Sequence, residues 1–101
     1  MGQPYGTVMI GQLNTGFADV EAALARWVEE RQVPGFRHED VMLCDDGRTV
    51  VMAVRFDSEE EYRALADDPQ QAAWYEQVMA PMLVGEPQWL DGTWKASVDA
   101  S

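Results

Sequence analysis

The chain has 101 residues, 47% of them hydrophobic and 25% charged, and a formal net charge of −11. These values are typical of one globular domain, so we expect a single domain over residues 1–101. Because its few Lys and Arg residues do not cluster and no run of about 18 apolar residues occurs, we expect neither nucleic acid nor a membrane as a partner.

The first two predicted elements are a strand and a helix. Residues 5–13 carry the β-branched and apolar side chains that favour a strand. Apolar side chains then recur at helical spacing over residues 19–31, with Asp19 in the favourable first turn. Pro34-Gly35 predicts the end of this helical region.

Residues 38–56 predict a β-hairpin, because Asp46-Gly47 is a strong two-residue turn signal between two apolar segments. This turn fixes the register of the two strands. It places His38 opposite Arg55 and Glu39 opposite Val54.

The alternation of side chains sorts the charged end of this hairpin into two faces. Glu39 and Arg37 fall on the more apolar face, which we expect to contact the helices. His38, Asp40 and Arg55 fall on the other face, where we expect another subunit. A bulge within residues 37–40 would shift the parity and move His38 to the helix side.

Two further helix starts and a last strand follow. Ser58 and Glu61 form a capping box, and Asp68-Pro69 combines a capping residue with proline at the first helical position. Residues 88–96 predict a strand, which we expect to be broken or bulged at Asp91-Gly92. Without a bulge, Trp89 and Trp94 point to opposite faces of the sheet.

The element order is β-α-β-β-α(α)-β, which predicts an α+β, ferredoxin-like domain with a four-stranded antiparallel sheet and helices on one face. The other face then exposes Met42, Val51 and Ala53, which are too apolar to remain in water. We therefore expect a homodimer that closes into an α/β barrel.

Cysteine and histidine are too few for a disulfide or a convincing zinc or iron site. Cys44 is the only cysteine and His38 the only histidine. The acidic cluster over residues 57–61 favours a solvated helix start over a metal site. We expect no metal and a reducing, cytoplasmic location.

The polar candidates each have two interpretations. His38, with Asp40 and Arg55 nearby, is either an acid–base group or part of a polar cluster at the subunit contact. Glu39 and Arg37 either form an ion pair or contact a ligand between sheet and helices.

Aromatic side chains close to this region are either core or the wall of a pocket for a flat hydrophobic molecule. They are Phe56, Tyr62, Trp74 and Tyr75.

Several segments together resemble the antibiotic biosynthesis monooxygenase family of the dimeric α/β-barrel superfamily. They are residues 34–36, the strand end at residues 53–56, the capping-box segment at residues 58–65, and residues 68–83. The resemblance covers roughly residues 5–95.

The resemblance implies a monooxygenase that needs no cofactor and acts on a small hydrophobic aromatic, polyketide-like or quinol-like substrate. Where the family has Asn, Trp and Tyr in its pocket, this chain has Met52, Phe56 and Tyr62, so only the Tyr is retained. The alternatives are a non-catalytic small-molecule-binding or stress-response protein, and an isomerase or cyclase acting through His38.

We therefore assign candidate catalytic roles to Tyr62, His38 and Arg37. The substrate pocket is predicted to be formed by Glu39, Met52, Phe56, Leu65, Trp74 and Tyr75.

Overall fold

The computed structural model describes residues 3–100, so Met1, Gly2 and Ser101 of the predicted domain lie outside the described residues. The elements in chain order are β1 (Tyr5–Gln12), α1 (Phe17–Arg31), β2 (Phe36–Leu43), β3 (Thr49–Phe56), α2 (Glu59–Ala66), α3 (Pro69–Trp74), a π-helix (Tyr75–Met79), a 3₁₀ turn (Ala80–Met82) and β4 (Gln88–Thr93).

The four strands form one antiparallel sheet in the order β2-β3-β1-β4. This is the ferredoxin-like fold that the element order predicts, and that prediction is confirmed. Among residues 3–100, no helix has the length and apolar character that crossing a membrane requires.

The β2–β3 hairpin has the register that its turn predicts. His38 lies opposite Arg55 and Glu39 opposite Val54. At the turn, the Asp46 carboxylate accepts hydrogen bonds from the backbone N–H groups of residues 48 and 49, both at 2.8 Å. These bonds and that of the Thr49 hydroxyl lower the pKa of Asp46 to about 2, the hydroxyl having the largest effect.

Arg37 does not take the expected position on the helix-facing side of the sheet, because β2 has a bulge near its start. Phe36 pairs with Phe56 and His38 with Arg55, so Arg37 is an extra residue without a partner position in this register. Its guanidinium forms an ion pair with Asp57, and its side chain is mostly exposed. Because the bulge precedes His38, it leaves the predicted parity of residues 38–43 unchanged.

Both predicted helix starts are confirmed by their capping hydrogen bonds. The Ser58 hydroxyl accepts a bond from the Glu61 N–H at 3.3 Å, and the Asp68 carboxylate accepts one from the Gln70 N–H at 2.9 Å. Helix α3 continues directly into the π-helix without a break in the chain direction. α3 and the π-helix therefore form one segment with a wider turn at residues 75–79.

The expected break in the last strand is wrong. β4 pairs with β1 without interruption from Gln88 opposite Ile10 to Thr93 opposite Tyr5, and it ends at Thr93 rather than at residue 96. Trp89 and Trp94 still reach opposite faces. Trp89 packs beside Tyr75, whereas the Trp94 Nε1 group donates to the Val54 carbonyl at 3.1 Å and its ring contacts Arg55.

The core lies between the helices and the inner face of the sheet. Its most completely buried large side chains are Met9, Val20, Val50 and Phe56. Among residues 3–100 no helix covers the outer face, which includes Met42, a side chain that is 56% exposed.

Candidate functional site

A cavity of about 430 Å³ opens between the inner face of the sheet and the helices. This volume lies within the range typical of small-molecule sites. Strands β1 to β4 form its floor, and α1, α2, α3 and the π-helix form its walls. The lining residues are Thr7, Met9, Leu24, Trp27, Glu39, Met52, Val54, Phe56, Tyr62, Leu65, Ala66, Gln71, Ala72, Trp74, Tyr75, Glu76, Met79 and Trp89.

Most of the residues proposed from sequence lie on the wall of this cavity. They are Glu39, Met52, Phe56, Tyr62, Leu65, Trp74 and Tyr75. The rings pack in two groups. Trp74, Trp27, Phe36, Phe56 and Tyr62 follow one another at centroid distances of 5.2 to 6.2 Å, and Tyr75 lies 5.8 Å from Trp89. The wall is therefore suited to a flat apolar ligand.

Arg37 and His38 are not brought to the cavity. Arg37 is displaced by the bulge and paired with Asp57. The His38 Nε2 atom lies 3.0 Å from an Asp40 carboxylate oxygen on the outer face, and the His38 side chain is 63% exposed. The catalytic roles assigned to these two residues from sequence stay predictions.

One end of the cavity carries the Tyr62 phenol, held by its neighbours. Its hydroxyl donates to Asp91 at 2.9 Å, and Asp91 in turn accepts from Arg63 at 3.4 Å. Burial is the largest cause that raises the pKa of Tyr62 to about 12; the bond and charge of Asp91 add to it, while Thr7 and Arg63 oppose it. The phenol therefore stays protonated at neutral pH and remains a hydrogen-bond donor.

A second polar position is Gln71, on α3. Its side-chain carbonyl accepts a bond from Trp27 Nε1 at 2.9 Å and a longer one from Arg31 at 3.4 Å. Since both donors occupy the carbonyl oxygen, the amide NH₂ group of Gln71 is left to donate to a ligand. Gln71 lines the cavity, so it can hold an oxygen of a bound molecule without adding a charge.

Glu39 places a carboxyl group on the cavity wall. Burial raises its pKa from 4.5 to about 7, and the nearby His38 opposes this shift. Among the described residues, no hydrogen bond contributes to this shift. A carboxyl group in this state exchanges a proton readily near neutral pH.

Several cavity residues were not found from sequence as site residues. Thr7 shares its face of β1 with Met9, so strand alternation was the only signal for it. Trp27 lies in the segment of residues 19–31, where the helical spacing of apolar side chains indicated only a buried side of the helix. Gln71 and Glu76 have no local signal, because their position depends on how α3 and the π-helix pack on the sheet.

The described residues 3–100 contain no group of three or more His, Cys, Asp or Glu side chains arranged to hold a metal ion. The chemistry open to the cavity residues themselves is proton transfer at Glu39 and hydrogen-bond donation from Tyr62 and Gln71. Apolar and aromatic side chains form most of the remaining wall.

The chain matches no protein-family model and no curated protein. It is similar to solved structures over almost its whole length. One is a monooxygenase from the gene ActVA-Orf6 of Streptomyces coelicolor in complex with nanaomycin D, with 25% identity, a TM-score of 0.72, and coverage of 98% of this chain and 94% of that chain.

Three other solved structures share the fold. A mutant of SnoaB, a cofactor-independent oxygenase from Streptomyces nogalater, has 14% identity, a TM-score of 0.78, and coverage of 98% of this chain and 100% of that chain. A dimeric ferredoxin-like protein of unknown function from Thermobifida fusca has 17% identity, a TM-score of 0.67, and coverage of 93% of both chains. A protein from Nitrosomonas europaea described as an antibiotic biosynthesis monooxygenase also shares the fold, with 16% identity, a TM-score of 0.69, and coverage of 92% of this chain and 91% of that chain. The resemblance to this family found from sequence is confirmed.

Proposed function

From a fold shared with the antibiotic biosynthesis monooxygenases, we propose that this chain is a cofactor-independent monooxygenase acting on a small hydrophobic aromatic substrate. The observation that carries the proposal is the aromatic cavity with Tyr62, Gln71 and Glu39 on its wall. The similarity to SnoaB and to the ActVA-Orf6 monooxygenase supports it.

The reaction is illustrated by anthrone, a three-ring ketone with a weakly acidic methylene group. The methylene carbon loses both hydrogens and gains one atom of O₂ as a carbonyl oxygen. The second oxygen atom leaves with those hydrogens as water. The substrate supplies all four electrons, so the reaction needs no separate reductant.

The chain's part is to bind the ring system away from water and to stabilise the oxygen on which negative charge develops. Gln71 donates to that oxygen through its amide. The protonated Tyr62 phenol donates as well, exchanging Asp91 for the substrate as its acceptor. This proposed step assigns no role to Arg37 or His38, whose catalytic roles stay predictions.

Oxygen uptake tests the function. The protein is expected to accelerate O₂ consumption with anthrone or a naphthol in metal-free buffer, with conversion of anthrone to anthraquinone. Tyr62→Phe is expected to lower kcat about 100-fold, because it removes a hydrogen bond made to the developing charge. Tyr5→Phe is the matched control, since the Tyr5 hydroxyl bonds to Arg63 and Tyr5 is not among the lining residues. Absence of protein-dependent uptake across the panel contradicts the proposal.

A non-catalytic binding protein is the second candidate. It is favoured by the largely apolar lining and by Met52 and Phe56 standing where the family has polar or indole side chains. Such a protein is expected to gain thermal stability with anthrone while consuming no oxygen.

We also propose a homodimer formed through the outer sheet face. This face carries Val8, Ile10, Met42, Val51 and Leu90, and no helix within the described part of the chain covers this apolar surface. The Thermobifida fusca protein is described as dimeric, which supports the proposal.

Met42→Glu is expected to convert the dimer to monomer, as measured by native mass spectrometry at micromolar concentration, because the charge would be buried without a partner. Val28→Glu on α1 is the control, since Val28 is 51% exposed and Met42 is 56% exposed. A wild-type protein that is monomeric under these conditions contradicts the dimer.

A further inference from the structure

Glu39 places a carboxyl group on a part of the cavity wall that is otherwise apolar. It lies on β2 opposite Val54, with its side chain on the helix face of the sheet. Met52, Val54 and Phe56 share the cavity wall with it. The proposed reaction uses Tyr62 and Gln71 as hydrogen-bond donors, and it also requires a group that accepts the substrate proton.

The protonation state of Glu39 is suited to that task. Burial raises its pKa to about 7, so both forms are populated near neutral pH. A general base is most effective when its pKa lies near the working pH, because it is then ionised and still basic enough to take a proton. An exposed Glu, with its pKa near 4.3, is a much weaker base.

The other titratable groups on the cavity wall decide which substrates fit. α2 contributes Tyr62, and the π-helix contributes Tyr75 and Glu76, whereas α1 contributes only Leu24 and Trp27. His38, next to Glu39 in β2, acts from the opposite face. Of the described residues that line the cavity, none is Lys, Arg or His.

An anionic substrate would therefore meet two carboxyl groups and no cation among the described lining residues. Arg31, which acts on Gln71, is paired with the Asp68 carboxylate. Arg63, which acts on Tyr62, is paired with the Asp91 carboxylate. A neutral substrate avoids this repulsion, and its ionisation adds no charge to the cavity, since the negative charge moves from Glu39 to the substrate. The electrostatics favour neutral carbon or oxygen acids, such as aryl ketones and phenols without a carboxylate.

We propose that Glu39 is the general base of this site and that it acts on a neutral, weakly acidic aromatic substrate. With anthrone, a methylene C–H bond breaks and the proton bonds to a Glu39 carboxylate oxygen. The electron pair stays on the substrate as an enolate, whose oxygen accepts bonds from Gln71 and Tyr62. The inference rests on the proposed function for its substrate class, but deprotonation itself requires no oxygen.

Anaerobic hydrogen exchange isolates this step. Anthrone is incubated with the protein in D₂O buffer under argon, and deuterium incorporation at the methylene carbon is followed by NMR. Wild type is expected to accelerate exchange, with a rate that rises with pH and levels off above about 7 as Glu39 ionises. Glu39→Gln is expected to lower the protein-dependent rate about 100-fold or more.

Glu29→Gln on the exposed side of α1 is the matched control and is expected to exchange like wild type. Equilibrium dialysis of anthrone checks that Glu39→Gln still binds the probe, so that a lost rate is a lost proton acceptor. Anthrone-like ketones bearing a carboxylate are expected to exchange far more slowly than anthrone itself.

The outcomes separate the two proposals. Exchange that Glu39→Gln loses, without oxygen uptake by wild type, supports Glu39 as base and contradicts the monooxygenase. Exchange that Glu39→Gln retains in full overturns the role of Glu39. Oxygen uptake that Glu39→Gln retains in full supports the monooxygenase and overturns the role of Glu39. A wild-type protein that does not accelerate exchange also overturns that role.

Discussion

Glu39→Gln is expected to raise the free energy of unfolding at pH 8 by about 3 kcal/mol, while leaving it nearly unchanged at pH 4.5. The pKa of Glu39 is raised by burial from 4.5 to about 7 in the folded protein. Each pKa unit corresponds to about 1.4 kcal/mol, so ionising the folded carboxyl group costs about 3 kcal/mol more than ionising it in the unfolded chain.

The sign follows from proton binding. Between pH 4.5 and about 7 the folded state binds more protons at Glu39 than the unfolded state does, so wild-type stability falls across this window. The Gln variant has no group to ionise there. Urea denaturation at a series of pH values and one protein concentration measures the difference, with Glu29→Gln as control. If the free energy of unfolding of wild type and of Glu39→Gln had the same pH dependence, folding would not raise the pKa of Glu39.

The second large effect is expected at Gly6 in β1. A Cβ atom added there would lie 1.8 Å from the Val54 carbonyl oxygen and 2.7 Å from Trp94 Nε1. The carbonyl belongs to the backbone of β3, so it cannot move away without separating the two central strands. Gly6→Ala is therefore expected to cost about 3 kcal/mol and to lower Tm by roughly 10 °C or more.

Gly11→Ala in the same strand is the control for this prediction. Its Cβ would lie 3.3 Å from a Leu83 methyl group and 3.4 Å from the Pro87 side chain, so only side chains need to adjust. Differential scanning calorimetry is expected to show a much smaller change for Gly11→Ala than for Gly6→Ala. Equal melting temperatures for the two variants would contradict the close approach at Gly6.

Local chemistry was sufficient to predict the hairpin and the helix starts. The Asp46-Gly47 turn sets the register by itself, and Ser58 and Asp68 satisfy N–H groups within two or three residues along the chain. Such features depend on neighbours in sequence, so they can be found without the rest of the fold.

The predictions from sequence were wrong for two strand positions whose geometry depends on residues distant in the chain. No residue near Arg37 signals its bulge, which follows from Phe36 pairing with Phe56 and from Asp57 holding the guanidinium. At the other strand, Gly92 suggested a bulge, but it simply pairs with Gly6 in a regular register.

In the cavity, too, some features follow from the local sequence and others depend on residues that are distant in the chain. Alternation along β2 was enough to place Glu39 on the helix side, whereas the link from Trp27 to Gln71 joins residues 44 positions apart. The raised pKa of Glu39 also depends on burial by the assembled fold. Neither property could be predicted from the sequence alone.

The four tryptophans fall into two groups whose fluorescence reports on different parts of the protein. Trp27, Trp74 and Trp89 line the cavity, whereas Trp94 lies over the outer face beside Arg55. A molecule entering the cavity therefore alters the fluorescence of three indoles and leaves the fourth in its original surroundings. A contact on the outer face does the reverse, so ligand occupancy and subunit association can be distinguished by emission from single-tryptophan variants.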